Sequence, residues 1–424
     1  MDIRFIDLFA GIGGIRKGLE QAIISNGDNP VCVFTSEIKP HAISILKQNN
    51  PTDEITGDIT KVNADNIPDF DILCAGFPCQ AFSAAGVRKG FADTRGTLFF
   101  DVERILRAKK PKGFILENVE GLVNHDKGNT LAVILNRLND IGYKVSYRVL
   151  NSNEFGVAQE RKRIYITGTF TDKVELSNFN ISRKHLKDIL EKGLPTENSP
   201  FIEKLLAKYT PSELYGKSIK DKRGGKDNIH SWDIELKGPV SDEEKRLLNI
   251  ILTERRKKQW AQQWGIDWMD GMPLTEKMIS QFFCRPNLKK ILDGLVEKGY
   301  LVFEHPKKKV IKGGVSERVY DTTLPKGYNI VTGKLSFEIN KILDPNGYAP
   351  TLVATDMQKL YVIDGEGLRK LTLREGLRLF GYPDDFKFEI KEKEGFDLLG
   401  NTVVVPVIKA VCSRLLNTII WEEK

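Results

Sequence analysis

The chain has 424 residues, of which 41% are hydrophobic and 29% are charged, a composition typical of a soluble globular protein. Because one hydrophobic core rarely organises more than about 250 to 300 residues, this length predicts two lobes. The formal net charge of +7 is modest, but it is concentrated in three basic runs in the second half of the chain, at 217–226, 254–260 and 305–314. One such run is usually a solvated face, whereas three together favour a polyanionic partner.

The cysteine pattern and the N-terminus indicate where the protein works. The five cysteines are odd in number and form no Cys-x-x-Cys pair, which argues against a disulfide framework and against a zinc cluster. The chain begins with no basic segment followed by a long apolar one, and no window reaches the roughly 18 apolar residues of a membrane span. These features predict a cytoplasmic protein that does not enter a membrane.

Apolar runs and amphipathic stretches alternate through the first third of the chain. Six runs predict strands, at 3–9, 31–36, 71–76, 113–118, 144–150 and 163–170. Four stretches predict helices, at 13–24, 40–49, 97–108 and 130–142. Such alternation is typical of a mostly parallel sheet covered by helices on both faces, so we expect a doubly wound α/β lobe.

Polar and glycine residues follow the predicted strands where such sheets bind ligands. The first strand runs into the glycine-rich loop DLFAGIGG at 7–14, but Arg16 stands where a dinucleotide fingerprint needs its third glycine. Glu37 ends the second strand, where a ribose diol can donate to it, and Asp58 follows a short third segment, where it can accept from an amine. Singly, these acids are more often caps or surface groups. In series, they predict an adenosine pocket that lacks a phosphate cradle.

A thiol follows the apolar run 71–75, within the segment GFPCQAFSAAG at 76–86. Taken alone, Cys79 is most simply interpreted as a small buried hydrophobe at the end of a strand. That interpretation still suits Cys74, inside the predicted strand. A nucleophilic thiolate is the alternative for Cys79, because a loop at a strand's carboxyl end offers oriented N–H groups that favour the anion.

Six motifs in order give a resemblance. They are FAGIGG (9–14), GFPCQAFSAAG (76–86), ENVEG (117–121), QERKR (159–163), REGLRLFGYP (374–383) and GNTVVVP (400–406). The sequence resembles the DNA (cytosine-5) methyltransferases in this series, over roughly 1–170 and 370–424, and six ordered motifs are far more specific than one. The resemblance implies a Rossmann-like methyltransferase lobe with a mixed, mostly parallel sheet and a smaller target-recognition domain.

The resemblance also implies catalytic roles. Cys79 would add to cytosine C6, which makes C5 nucleophilic toward a methyl donor. Glu117 would meet the N3 and 4-amino edge of the base, with burial raising its pKa, and Asn118 would orient the loop. Of the arginines in QERKR, we favour Arg163 for the base, while Arg161 would contact the pocket or brace the loop.

The implied cofactor is S-adenosylmethionine, with S-adenosylhomocysteine as product, and the chemistry needs no metal. Three groups of positions would hold it. They are Phe9, Ala10, Gly11, Ile12 and Gly13 with Pro78 at the methionine and sulfonium, Glu37, Ile38, Asp58 and Ile59 at the adenosine, and Asn401 and Val403 at the methionine end. The apolar pattern at 403–420 predicts a helix that brings this last pair back onto the first lobe.

The implied substrate is double-stranded DNA with the target base flipped out of the stack. The segment 80–96 carries cations and candidate glycine hinges, so we expect a loop that closes over the base, although a merely flexible surface loop is the alternative. The expected DNA contacts are Gln80, Ser83, Arg88, Lys89, Arg95 and Gln159.

The expected domains are a catalytic domain at 1–182 completed by 398–424, a target-recognition domain at 183–370 and a hinge at 371–397. Within the second, 274–303 predicts two helices and a strand similar to a winged-helix unit, with 305–320 as the wing. An ordinary α/β packing unit explains the pattern equally well.

Three functions remain open from the sequence. The first is a monomeric DNA cytosine-5 methyltransferase that protects DNA alongside a cognate restriction endonuclease. The second is a cytosine-5 methyltransferase of RNA, which the large basic insert disfavours. The third is a catalytically silent DNA-binding relative, which the presence of Cys79, Glu117 and Arg163 disfavours.

Overall fold

The structure is a computed structural model that describes residues 1–77, 98–312, 315–332, 337–353 and 357–421. It divides into two compact units. The first unit comprises Met1–Glu191, Asp344–Gln358 and Leu371–Lys424, and the second comprises Lys192–Leu343 and Lys359–Lys370. Asp344–Gln358 therefore belongs to the first unit, within the range expected for the recognition domain, because Ala349 forms a β-bridge with Gln159 and accepts a hydrogen bond from the Glu160 N–H at 2.9 Å.

A seven-stranded sheet organises the first unit. Its strands are β1 (Asp2–Leu8), β2 (Asn29–Ser36), β3 (Ile55–Thr56), β4 (Ile72–Ala75), β5 (Gly113–Val119), β6 (Lys144–Asn151) and β7 (Lys162–Thr169). They lie in the order β3-β2-β1-β4-β5-β7-β6, with the first five strands in this order parallel and β7 antiparallel to both of its neighbours. The predicted mixed, mostly parallel sheet is confirmed.

Helices cover this sheet. They are α1 (Gly14–Ser25), α2 (Pro40–Asn49), α3 (Leu98–Lys109) and α4 (Asn129–Asp140), with α10 (Leu373–Leu379), α11 (Glu392–Asn401) and α12 (Val405–Thr418) near the C-terminus. Local chemistry fixes several of their ends. Pro40 opens α2, where a missing N–H costs nothing, and Thr372 and Glu375 form a capping box at α10.

The two faces of the sheet pack differently. On one face, Phe99 and Leu106 of α3 and Ile134 of α4 join a buried cluster with side chains of the strands. On the other, α1 and α12 approach so closely that a Cβ on Gly18 would lie 2.5 Å from Ile408 Cβ, a spacing that only glycine permits. The predicted return of the C-terminal helix onto the first lobe is confirmed.

One helical run among the described residues, Glu392–Thr418, is long and apolar enough to cross a membrane by length and composition. The sequence expectation of no such window is therefore not met. However, 67% of the apolar window is buried within the fold. The run consists of α11 and α12, of 10 and 14 residues, each shorter than the roughly 20 residues of a membrane span. The burial is that of core helices.

The second unit contains a winged-helix arrangement. Its helices are α5 (Pro200–Leu206), α6 (Asp242–Glu254), α7 (Lys258–Trp264), α8 (Glu276–Ile279) and α9 (Leu288–Glu297). Its first strands are β8 (Ser218–Ile219), β9 (Asn228–Ile229), β10 (Leu301–Glu304), β11 (Lys307–Lys312), β12 (Val315–Tyr320) and β13 (Gly327–Ile330). After α8 and α9, β10 pairs antiparallel with β13, Leu274 bridges to Tyr328, and the hairpin β11–β12 lies between β10 and β13 in sequence. The predicted helices, strand and wing are confirmed.

Two cores support the second unit. Trp232 and Trp260 are buried among the helices around the winged-helix arrangement. The remaining strands are β14 (Lys341–Ile342), β15 (Leu360–Asp364) and β16 (Gly367–Lys370), which join β8 and β9 in a five-stranded sheet ordered β16-β15-β14-β8-β9. Leu205, Ile342 and Tyr361 belong to the separate core beside this sheet.

Candidate active site

The loop between β1 and α1 has an unusual backbone. Phe9, Gly11 and Gly13 adopt left-handed φ values of 55°, 56° and 81°, which is uncommon for a residue such as phenylalanine. The Ala10 N–H donates to the Ser36 carbonyl at 3.1 Å, which ties the loop to β2. A Cβ built on Gly11 would point into open space. The backbone at Gly11 is therefore open to close approach by a ligand, while the next residue, Ile12, is buried.

Glu37 lies at the end of β2, with its carboxylate against this loop. Its Oε2 accepts from the Gly11 N–H at 2.7 Å, and its Oε1 accepts from the N–H groups of Ile38 and Lys39 at 2.8 Å. A carboxylate offers about four acceptor positions, so one remains for a ligand hydroxyl. The adjacent Ile38 side chain is 67% exposed, which suits a residue that covers a flat apolar ligand.

Asp58 follows β3 at the same edge of the sheet. Its Oδ1 accepts from the N–H and hydroxyl of Thr60, and these bonds hold the pKa of the carboxyl below its usual range. Its Oδ2 approaches only Lys61 Nζ, at 3.9 Å, among the described residues, so an acceptor remains for a ligand amine. The next residue, Ile59, is buried beneath it.

The sequence did not single out Arg104 of α3, which braces this region. Its guanidinium donates to the carbonyls of Val62 at 2.9 Å and Ile59 at 3.2 Å, and also to Asp101. Arg104 thus holds the segment after Asp58 against α3. Local sequence carries little signal for this role, because the two carbonyl partners lie 42 and 45 residues earlier in the chain.

The returning C-terminal segment lies against the start of α1. A Cβ on Gly14 would lie 2.7 Å from Val403 Cγ2, so Val403 reaches the glycine loop as expected. The hydroxyls of Thr402 and Tyr382 are hydrogen-bonded at 2.7 Å behind it. Asn401 is exposed, and its amide donates to the Asp397 carbonyl at 2.7 Å.

Asp7 lies one residue before the end of β1, completely buried. Neither carboxylate oxygen has a hydrogen-bond partner among the described residues. Burial raises its pKa from 3.8 to about 7, opposed by Arg16 and reinforced by Glu20 and Glu37. Arg16 itself is paired with Glu20 and Asp53. The sequence signal for this group was an acid inside an apolar strand.

A buried carboxyl and guanidinium pair lies at the carboxyl end of β5. Glu117, near the end of β5, is 8% exposed, and its Oε1 lies 3.2 Å from Arg163 Nε on β7. Burial raises the pKa of Glu117 even though Arg163 and Arg161 oppose the rise. The direction expected from the sequence is confirmed.

Asn118 connects this pair with the chain after β4. Its amide Nδ2 donates to the Phe77 carbonyl at 3.2 Å, and its Oδ1 accepts from the Val119 N–H. Phe77 stands directly before seven expected contacts that lie outside the described residues. They are Pro78, Cys79, Gln80, Ser83, Arg88, Lys89 and Arg95.

Gln159 and Arg161 do not share the position of Arg163. Gln159 is fully buried and its amide donates to the Leu379 carbonyl at 3.0 Å, so the expected DNA contact is replaced by a structural one. Arg161 is buried as well. It donates to three backbone carbonyls, of Leu352, Gly400 and Thr402. Of the three side chains, Arg163 alone faces Glu117 closely enough to pair with it.

The fold and the geometry define a class. The carboxyl ends of β2 and β3 carry acceptors suited to a ribose and an exocyclic amine beside a glycine loop, and the carboxyl end of β5 carries a buried carboxyl and guanidinium pair. These are the features of a Rossmann-like methyltransferase lobe rather than of a dinucleotide dehydrogenase, whose loop needs a third glycine at the pyrophosphate.

Comparison with known proteins identifies the family. The family model of the C-5 cytosine-specific DNA methylases matches residues 3–417. The type II methyltransferases M.NlaIV of Neisseria lactamica and M.NgoBV of Neisseria gonorrhoeae are each 65% identical over 424 residues, which cover 98% of this chain and 99% of theirs. The solved methyltransferase EhMeth of Entamoeba histolytica shares the fold, with a TM-score of 0.53 at 16% identity over 99% of this chain and 98% of that one.

The chain belongs to the C-5 cytosine-specific DNA methylases and is a DNA (cytosine-5) methyltransferase of the bacterial type II class. The match includes the middle of the chain, for which the sequence motifs gave no resemblance.

Proposed function

We propose that this enzyme methylates C5 of a cytosine flipped out of a specific duplex sequence, through a covalent bond between Cys79 Sγ and C6. The thiolate adds to C6, and the electron pair displaced onto C5 takes the methyl group. The proton on C5 then leaves with its bonding electrons returned to the ring, and the thiolate is expelled. An unassisted cytosine C5 is too weak a nucleophile for this transfer.

The observation that carries the proposal is the buried pair of Glu117 and Arg163 beside Asn118. Attack on C6 pushes negative charge toward N3 of the base. A carboxyl group with a raised pKa can supply or share a proton at that atom, and Arg163 can hold the pyrimidine oxygen. Asn118 holds the Phe77 carbonyl, so the chain leads from this pair directly into the segment with Cys79. A silent relative would have no need for such an arrangement.

The residues at the sheet edge fit S-adenosylmethionine. Glu37 has an acceptor position left for the ribose, Asp58 Oδ2 for the adenine amine, and the exposed Ile38 can cover the adenine. The loop from Phe9 to Gly13, with Val403 and Asn401, would hold the methionine end. When bound, the cofactor supplies an electrophilic methyl group and leaves as S-adenosylhomocysteine.

The wider setting follows from the class of enzyme. The substrate would be duplex DNA, read by the second unit, with residues 371–397 as a hinge. The enzyme would act as a cytoplasmic monomer and protect the host's copies of a sequence that a cognate restriction endonuclease cleaves. Separate experiments can test whether the enzyme protects DNA from the endonuclease, whether it is a monomer and whether it methylates RNA.

Plasmid DNA from cells that express the chain provides the test. Bisulfite sequencing should reveal 5-methylcytosine in one short motif, and a Cys79→Ser variant should give none. A duplex with 5-fluorocytosine at that motif should remain covalently attached to the wild-type enzyme, because fluorine cannot leave C5 as a proton does. Methylation of RNA but not of DNA, or full activity in Cys79→Ser, would overturn the proposal.

A further inference from the structure

The hairpin β11–β12 presents one face with several cations and no acid. In an antiparallel pair, residues at alternate positions share a face, so Lys307, Lys309 and Ile311 of β11 lie with Arg318 and Tyr320 of β12. We call these five residues the wing face. On the opposite face, Lys308 is neutralised by Asp321 at 3.2 Å. The two faces therefore differ in whether their charge is balanced within the protein.

Two cations of the wing face stand directly opposite each other. Lys309 pairs in register with Arg318, and among the described residues no carboxylate lies within 4.0 Å of either side chain. Like charges at directly opposed positions destabilise a two-stranded hairpin. An arrangement that costs stability in the free protein indicates that the pair serves an anionic partner.

The wing face also offers apolar contact area. Ile311 is 73% exposed and Tyr320 is 50% exposed. Lys307 Nζ lies over the Tyr320 ring, 4.9 Å from its centre. Both the ammonium group and the ring are thus held in place on the surface. A solvated charged face has no need for exposed apolar side chains among its cations.

Contacts connect the wing face with α9. The Tyr320 hydroxyl donates to Glu304 at 2.7 Å, and the neighbouring Phe303 packs on Tyr328 with ring centres 4.8 Å apart. The Tyr328 hydroxyl in turn donates to Asp293 of α9, which also accepts from Lys289. α9 and the wing face are therefore connected through side chains of β10 and β13.

We infer that the wing face binds the phosphate backbone of duplex DNA, with Lys309 and Arg318 as the principal contacts. This inference takes its substrate, duplex DNA, from the proposed function. It adds to that function the surface that holds the substrate. Phosphate contacts position a protein on the duplex but carry no sequence information, so these two side chains supply affinity and not the choice of site. An acidic polypeptide is the other partner with matching charge, and the experiment below distinguishes it from DNA.

The experiment uses the full-length Lys309→Ala/Arg318→Ala variant and a labelled duplex that lacks the methylation motif. Fluorescence anisotropy over a salt series gives the slope of log affinity against log salt. Each lost phosphate contact removes about 0.9 from that slope, so the variant should be less steep by about 1.8 and bind about one to two orders of magnitude more weakly at 0.1 M salt. Its thermal unfolding midpoint should equal or exceed that of the wild type, since a repulsion has been removed.

The matched control is Lys144→Ala/Arg148→Ala, which removes one lysine and one arginine from exposed positions of β6. It should leave the slope unchanged, and Lys309→Arg/Arg318→Lys should retain the wild-type slope. Equal slopes for the wing variant and the wild type, or an equal loss in the control, would overturn the inference. The inference would also be overturned if Lys309→Ala/Arg318→Ala bound polyglutamate more weakly than the wild type but bound DNA with unaltered affinity. Wild-type methylation of plasmid DNA tests the proposed function separately from this binding measurement.

Discussion

Replacement of Asp7 by asparagine should remove a pH dependence from the stability of the first unit. Burial raises the pKa of Asp7 from 3.8 to about 7, so between these values the folded state holds a proton that the unfolded state has released. The stability that this proton contributes is complete below pH 3.8 and is lost as the pH rises through 7. The difference corresponds to about 4 kcal/mol, of which about 3 kcal/mol is lost between pH 5 and pH 8.

Native-state hydrogen exchange of the β1 amides measures this effect within the first unit. In the wild type, the free energy of opening should fall by about 3 kcal/mol from this group between pH 5 and pH 8, and Asp7→Asn should lack that decrease. The stability of the asparagine variant relative to the wild type should therefore increase as the pH rises. Asp2→Asn is the control, because Asp2 lies on the same strand with an exposed side chain. Parallel pH curves for the wild type and Asp7→Asn would refute the reasoning.

Three further changes test the site. Glu117→Gln keeps the shape but cannot donate or share the carboxyl proton, so single-turnover methylation should slow by about 10²- to 10⁴-fold while DNA affinity is retained, and an unaltered rate would contradict the proposed role. Gly14→Ala places a methyl group 2.6 Å from the Tyr382 hydroxyl, so calorimetry should find weaker cofactor binding and a loss of about 1 to 3 kcal/mol in stability. Arg104→Ala frees two carbonyls beside the adenosine region and should raise the cofactor dissociation constant by about tenfold, whereas Arg107→Ala, which loses only its bonds to Glu103, should not; equal effects would refute a positioning role.

The architecture of the first unit was predictable because its signals are local. The central strands β4 and β5 are covered on both faces, so they appear in the sequence as continuous apolar runs rather than as alternating ones. The helices between the strands show the 3.6-residue spacing of apolar side chains, which a short stretch of sequence is enough to reveal. The same argument places Glu37, Asp58 and Glu117 at the carboxyl ends of strands, where the structure has them.

The roles within QERKR were not predictable from spacing. The alternation rule puts Gln159 and Arg161 on one face with Arg163 only if the segment is a regular strand. However, β7 begins at Lys162, and the preceding residues follow an irregular path beside Ala349. That partner lies about 190 residues away in sequence, so composition and periodicity carry no trace of it. The placement of Asp344–Gln358 in the first unit escaped prediction for the same reason.

Substitution of Arg161 and of Arg163 therefore tests most directly which arginine is structural and which is catalytic. Arg161 donates to the carbonyls of Leu352, Gly400 and Thr402, and burial lowers its pKa to about 9. Arg161→Met strands these buried acceptors, so thermal unfolding should show a loss of at least about 3 kcal/mol. Among the described residues, Arg163 pairs only with Glu117, whose raised pKa lets it take up a proton when the cation is removed. Arg163→Met should therefore cost less stability than Arg161→Met, yet slow methylation at saturating DNA and cofactor by about 100-fold or more. If Arg163→Met unfolded the enzyme while Arg161→Met lost only its rate, the roles assigned to the two side chains would be reversed.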